Sequence, residues 1–232
     1  MTHSHPNMAQ IPSSSSPYGE DCRACWTVPE DYRLVGIDAS GLELRMLAHY
    51  LNDEGYTNEI LNGDIHTANQ NLAGLESRDQ AKTFIYALLY GAGDAKLGSV
   101  VGRGRAHGKG LRQRFFDGLP SFKNLTDRVQ REAKSGFLKA LDGRRLTVRS
   151  EHAALNTLLQ GAGAIVMKKA LVILNDKIIK HGWDAKFVAN VHDEWQIECH
   201  LDDAVDVGNA GVHAIREAGC MLNLNCPLDG DY

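Results

Sequence analysis

No stretch of the 232 residues approaches the ~18 consecutive apolar residues a membrane-crossing helix requires, so the sequence predicts no membrane partner. The N-terminus, Met1-Thr2-His3-Ser4-His5-Pro6, lacks the basic-then-apolar order of a secretory signal, and a cytoplasmic protein is expected. Cysteine is sparse and odd in number: Cys22, Cys25, Cys199, Cys220 and Cys226. Cys22-Arg23-Ala24-Cys25 is a CxxC with His3 and His5 upstream, which raises a zinc or redox site. A zinc site needs a second ligand pair at suitable spacing, and Cys220 with Cys226 does not supply one. Reduced cytosolic thiols are expected. Internal repeats are also lacking. What remains, 43% hydrophobic and 23% charged, is ordinary globular composition in a chain with room for one domain or two small ones.

The net charge of −4 argues at first against a nucleic-acid partner, but its distribution argues the other way. Between Glu76 and Arg149 there are 16 Lys/Arg against 7 Asp/Glu, a net of +9, while the rest of the chain nets −13. A phosphate backbone responds to local potential, so a basic middle can bind it while acidic flanks hold divalent metals. A solvated helical face would produce a similar run.

Residues 1–33, with Pro12, Ser13–Ser16, Pro17 and Gly19, are expected to form an extended arm or loop. Leu34-Val35-Gly36-Ile37 suits a buried strand that ends at Asp38, and Leu42, Leu44, Met46, Leu47 and Leu51 continue as a helix. Gly63-Asp64-Ile65-His66 breaks the pattern ahead of a polar helix. Arg78 to Tyr90 predicts a helix ended by Gly91-Ala92-Gly93, and residues 96–149 predict further helices interrupted by glycines. Asp142-Gly143 marks a turn before a strand at Leu146-Thr147-Val148. Ala153 to Lys180 predicts a long helix, Phe187 to Cys199 two strands about a tight turn at His192-Asp193, and Asp203–Ala218 a last helix.

Three constellations carry chemistry. In Asp38-Ala39-Ser40-Gly41-Leu42-Glu43, a capping box would account for Ser40 and Glu43 but leaves Asp38 unexplained at the end of an apolar strand, where a carboxylate is costly unless paired or metal-bound. Val191-His192-Asp193-Glu194-Trp195 could be turn formers alone. As a pair, two strand-borne carboxylates facing each other across an antiparallel sheet suit two Mg²⁺ ions, which take oxygen ligands and bridging substrate phosphates. Two such metals clamp the attacking and leaving oxygens of a phosphoryl displacement. Finally, Arg78, Lys82, Tyr86 and Tyr90 recur at i+4 as one helical stripe. Two cations followed by two aromatics suit a triphosphate, then a sugar and base. An amphipathic helix with tyrosines at its edge fits the same pattern.

These segments resemble family-A DNA polymerases. Asp38–Arg45 is similar to their first polymerase motif, Arg78–Gly91 to their fingers-helix motif Arg-x₃-Lys-x₃-(Phe/Tyr)-x₃-Tyr-Gly, and Val191-His192-Asp193-Glu194 to their third, in the same order. The wording of Gly36–Arg45, Gly63–Thr67, Ala81–Tyr86, Pro6–Pro12 and Asn156–Gln160 is similar to replicative polymerases of podophage type, so the resemblance spans essentially the whole chain.

The resemblance implies an α+β fold: an antiparallel palm sheet with a helical fingers insertion and without thumb or exonuclease domains. Residues 1–55 and 149–232 would form the palm, and residues 56–148 the fingers. It implies template-directed nucleotidyl transfer from a dNTP to a primer 3′-hydroxyl in DNA replication, in the host cytoplasm if the chain is phage-encoded. Asp38, the Ala39 carbonyl, Asp193 and Glu194 would hold two Mg²⁺ ions. Arg78, Lys82 and His66 would contact the triphosphate, with Lys82 catalytic. Tyr86 and Tyr90 would face the nucleotide, and Glu43 would crowd the sugar 2′ position. Asn156, Gln160 and His192 would touch the primer–template; Asn156 and Gln160, at i and i+4, share a helix face independently of the resemblance.

The chain starts just before Thr2, without the Gly-Arg that family members carry there, and stops at Asp229-Gly230-Asp231-Tyr232, short of their last Gly- and Trp-containing segment. A fragment, or a split subunit whose partner chain carries the thumb and exonuclease, is therefore expected, with weak grip on DNA by itself. Two other readings compete. A non-catalytic DNA-binding remnant would need neither carboxylate, and a single-subunit RNA polymerase fits Glu43 and the Gly41–Arg45 wording less well.

Overall fold

In the computed structural model, residues 11–232 are described; His3, His5 and most of the Pro6–Pro12 segment lie outside them. The segment expected to be an arm contains one short helix, α1 (Gly19–Ala24), with Glu20 and Asp21 in its first turn and Arg23 in its last, charges that complement the helix dipole. The apolar run at 34–37 lengthens at both ends into β1 (Tyr32–Ala39), followed by α2 (Leu42–Leu51). Then come α3 (Glu54–Asn62), α4 (Ile65–Ala73), α5 (Arg78–Leu89), α6 (Asp94–Ser99), α7 (Arg105–Gly118) and α8 (Pro120–Ala133). The strand expected at 146–148 is β3 (Arg145–Thr147), and its partner is β2 (Phe137–Lys139) across the Asp142-Gly143 turn. The chain ends with α9 (Ala154–His181), β4 (Ala185–Val191), β5 (Glu194–His200), α10 (Ala204–Met221) and β6 (Gly230–Asp231).

Two compact units result. One holds residues up to Ser40, Lys169–Glu217 and Asp229–Tyr232; the other holds Gly41–Lys168 and Ala218–Leu228. The first is organised by a four-stranded antiparallel sheet in the order β4-β5-β1-β6. Alternation along β1 and β5 buries Val35, Ile37, Ala39, Trp195, Ile197 and Cys199 on one face, each large side chain contributing roughly 1.5–3 kcal/mol. α10 lies close against that face, burying Val207, Ala214 and Ile215. Its approach requires Gly211, where a Cβ would stand 2.3 Å from Ile37 Cδ1. The opposite face carries Gly36, Asp38, Glu194, Gln196 and Glu198, so the strands' polar residues share one surface.

The second unit is helical. α5 buries Ala81, Phe84, Ile85, Leu88 and Leu89, and Phe84 meets Phe115 edge-on at 5.7 Å; Phe115 meets Phe122 at 5.3 Å. Such T-shaped pairs stabilise beyond their burial and fix the rotation of α5. Asp53, Asp64 and Ser77 cap α3, α4 and α5 through their side chains. The part of α9 that belongs to this unit, up to Lys168, buries Leu155, Leu158, Leu159 and Val166. Together with the turn before it, Glu151–His181 is long and apolar enough to cross a membrane, by length and composition only; a core helix meets the same criterion, and 44% of its most apolar window is buried inside the protein.

Candidate active site

In the sheet unit, β4 and β5 are joined by a two-residue turn, His192-Asp193, in which His192 takes a left-handed conformation (φ 57°) that histidine tolerates better than most residues. This turn sets Asp193 beside the end of β1, where the Ala39 N–H donates to the Asp193 carbonyl at 3.2 Å. In the ladder Asp38 stands opposite Glu194 on one side and Asp231 on the other. Four carboxylates are thereby gathered, and partial desolvation, with the charges of Asp193, Glu194 and Asp231, pushes the Asp38 carboxyl up to about 6. Asp231 has no local signal in the sequence, because β6 is two residues long and its partner lies at the other end of the chain. Ser40 does not cap a helix: its hydroxyl donates to Asp231 at 3.3 Å, and Gly41 occupies the N-cap of α2.

In the helical unit, the face of α5 opposite its buried side carries Arg78, Lys82 and Tyr86, with Tyr90 just past the last turn. His66, in the first turn of α4, stands within electrostatic reach of Arg78 and Lys82, and its pKa is lowered first by burial and then by those two cations. A neutral imidazole is therefore favoured, and its buried Nδ1 has no hydrogen-bond partner among the described residues. The His66 and Tyr86 rings are 6.4 Å apart. Arg78 Nε donates to Asp64 Oδ2 at 2.7 Å.

The Tyr90 hydroxyl donates to Glu43 Oε2 at 3.2 Å, and Gln160 also bonds to it. Burial, followed by the Glu43 charge, raises the Tyr90 pKa. Glu43 is therefore bonded to a tertiary partner 47 positions away, which the alternative capping-box reading does not provide for. Asn156 lies one turn before Gln160 on α9, with its Oδ1 buried and lacking a partner among the described residues. The predicted residues thus fall into two groups, each gathered in its own unit: Asp38, Ala39, His192, Asp193 and Glu194 in one, and Glu43, His66, Arg78, Lys82, Tyr86, Tyr90, Asn156 and Gln160 in the other. Sequence reasoning missed Asp231 in the first and Asp64 in the second.

Elsewhere, Cys22 and Cys25 are exposed free thiols, and the Cys25 thiol donates to the Asp21 carbonyl. Among the described residues, no three His, Cys, Asp or Glu side chains converge into a ready-made metal cage.

The profile of DNA polymerase family A matches residues 1–232, the whole chain. The DNA-directed DNA polymerases of Enterobacteria phage T3 and Escherichia phage T7 are each 44% identical over 98% of this chain, which spans 37% of their length. DNA polymerase I of Aquifex aeolicus is 32% identical over 99% of the chain and 42% of its own. Among solved structures, the POL domain of Pol1 from M. smegmatis, in complex with DNA primer-template and dNTP, has a TM-score of 0.86 over 97% of this chain and 43% of that one; at 24% identity this speaks to the fold. That likeness agrees with the expected mixture of an antiparallel sheet and a helical part, and the chain belongs to DNA polymerase family A.

Proposed function

We propose that the chain carries the catalytic apparatus of template-directed DNA synthesis, with residues 1–55 and 149–232 serving as palm and residues 56–148 as fingers. The observation that carries this reading is the ladder that sets Asp38 opposite Glu194 and Asp231, with Asp193 beside the strand end; desolvation first, and then these neighbouring charges, raise the Asp38 carboxyl to about 6. Like charges held this close are unfavourable by themselves, and a divalent cation relieves them. Mg²⁺ keeps several waters and uses only one or two carboxylates plus substrate phosphates, so the chemistry of Asp38 and Asp193 suits it without a larger protein cage. Asp38 and Asp193, with the Ala39 carbonyl and Glu194, would hold two such ions. When bound, they would neutralise developing charge and lower the pKa of an attacking hydroxyl.

The other roles follow from the side chains. Lys82 and Arg78 would supply positive charge to a triphosphate leaving group, and His66, whose pKa is lowered, could share a hydrogen bond with it. Tyr90 would offer a ring for stacking with its hydroxyl donated to Glu43, and Glu43 would crowd the sugar 2′ position. Asn156, Gln160 and His192 would contact the primer–template. Two of the named relatives are phage polymerases, and action on DNA inside an infected cell is part of the proposal.

Primer extension by the whole chain, with Mg²⁺ and either dNTPs or NTPs, tests this. Extension with dNTPs that Asp38→Asn or Asp193→Asn abolishes supports it, and extension with NTPs would favour an RNA polymerase. DNA binding without extension, even with the segments of the longer relatives that this chain does not span supplied as a second chain, would favour a DNA-binding remnant.

A further inference from the structure

α4 and α5 are separate helices, yet one carboxylate joins their N-terminal ends. Asp64 is the N-cap of α4: its Oδ1 accepts from the backbone N–H of His66 at 3.0 Å and of Thr67 at 3.4 Å. Its Oδ2 accepts from the Thr67 hydroxyl at 2.9 Å and from Arg78 Nε at 2.7 Å. An N-cap requires only the first of these oxygens. The second is committed to the side chain of Arg78, 14 positions along the chain. The Arg78 guanidinium pulls the Asp64 carboxyl well below the usual carboxylate range, so it is ionised across the working pH range.

The choice of Nε matters. A guanidinium is a rigid plane with five N–H donors, and anchoring the inner one fixes the rotation of the outer two nitrogens. Arg78 remains half-exposed, and with Nε committed to Asp64 its outer two nitrogens are the ones left for a bidentate phosphate contact. The same carboxylate holds the backbone N–H of His66, so the imidazole that stands near Arg78 and Lys82 starts from a fixed base.

We propose that Asp64 is a positioning residue for the incoming triphosphate, aiming the outer edge of Arg78 and seating His66 toward one anion. It touches no reacting atom and acts through its two neighbours. This rests on the reading that Arg78 and His66 contact a triphosphate. An exposed ion pair adds little to stability, so a purely structural Asp64 would influence phosphate affinity only through loss of the helix cap.

Direct binding of dATP and of inorganic tripolyphosphate to the whole chain, by titration calorimetry, separates these possibilities without chemistry. Asp64→Asn keeps a capping oxygen for His66 and Thr67 but places an amide where Arg78 needs an acceptor. It should bind both probes about five- to tenfold more weakly, with a melting temperature close to that of the wild type. Arg78→Ala should lose at least as much, and Asp64→Asn should then cost nothing further in the Arg78→Ala background. Thr67→Val, which removes only the other Oδ2 contact, should bind as the wild type does and controls for damage to the cap. Unchanged or tighter binding by Asp64→Asn overturns the proposal, as does a loss that simply adds to that of Arg78→Ala. If Arg78→Ala itself binds both probes like the wild type, the triphosphate assignment fails, and this inference fails with it.

Discussion

In the absence of metal, Asp38 opposes folding at neutral pH. Its carboxyl is shifted up from 3.8 to about 6, so between those values the folded chain holds a proton that the unfolded chain has released. Stability therefore falls as pH rises through this window and stays lower above it. Asp38→Asn removes the charge, so with chelator present it should be more stable than the wild type at pH 7.5, by about 1 kcal/mol once solvent screening at an exposed site is allowed for. In a chain of this length that is a rise of roughly 2–4 °C, and the difference should close near pH 4. Melting curves in EDTA at the two pH values check it; a variant that melts lower than the wild type at pH 7.5 would contradict the like-charge account. Lys82 is an exposed cation, and in the proposed mechanism it is needed only when phosphate charge builds up. Lys82→Ala should slow single-turnover incorporation by ~10²-fold or more, the scale of a lost transition-state donor, with little change in melting temperature.

Among the elements, α5 is placed as much by its exit as by its aromatic core. Gly91 follows the helix with φ 76°, and a Cβ there would stand 2.1 Å from the His152 carbonyl oxygen. Gly91→Ala combines a left-handed backbone that costs roughly 1–2 kcal/mol with a clash against main chain. We expect it to destabilise the protein by at least about 2 kcal/mol and to weaken nucleotide binding through Tyr90, its neighbour, as measured by denaturant melts and nucleotide titration. Elements such as β1, α5 and α9 were legible because their apolar residues repeat at the strand or helix period over many positions. The residues proposed for the site stood out for a related reason: Asp38 ends an apolar run, and Arg78, Lys82, Tyr86 and Tyr90 repeat every four. What stayed hidden depends on contacts distant in sequence. β6 is too short to carry a period, so nothing local announces Asp231 beside Asp38. Glu43 and Ser40 satisfy a capping pattern, yet Tyr90 and Asp231 claim them once the chain is folded. Asp64 looks like a helix cap and is one; its hold on Arg78 exists only because α4 and α5 lie together.

Over the whole molecule, charge is sorted by unit. The basic stretch between Glu76 and Arg149, net +9, falls entirely within the helical unit, while the carboxylates about Asp38 belong to the sheet unit. If DNA responded to the overall charge of −4, removing any two cations would weaken binding alike. If it responds to local potential, position decides. Each phosphate neutralised releases condensed counterions and contributes about −0.9 to the slope of log K against log salt. Arg103 and Arg105 are exposed within the basic stretch, and Arg23 and Lys180 are exposed outside it. Removing either pair changes the net charge of the chain by the same amount. We expect the Arg103→Ala/Arg105→Ala variant to weaken primer–template binding and flatten the slope by about 1–2, and Arg23→Ala/Lys180→Ala to leave the slope as it is. Anisotropy of a labelled primer–template between about 50 and 200 mM salt measures both. Equal flattening by the two pairs would mean that DNA senses the molecule as a whole, and the basic stretch would lose its claim as the phosphate-binding surface.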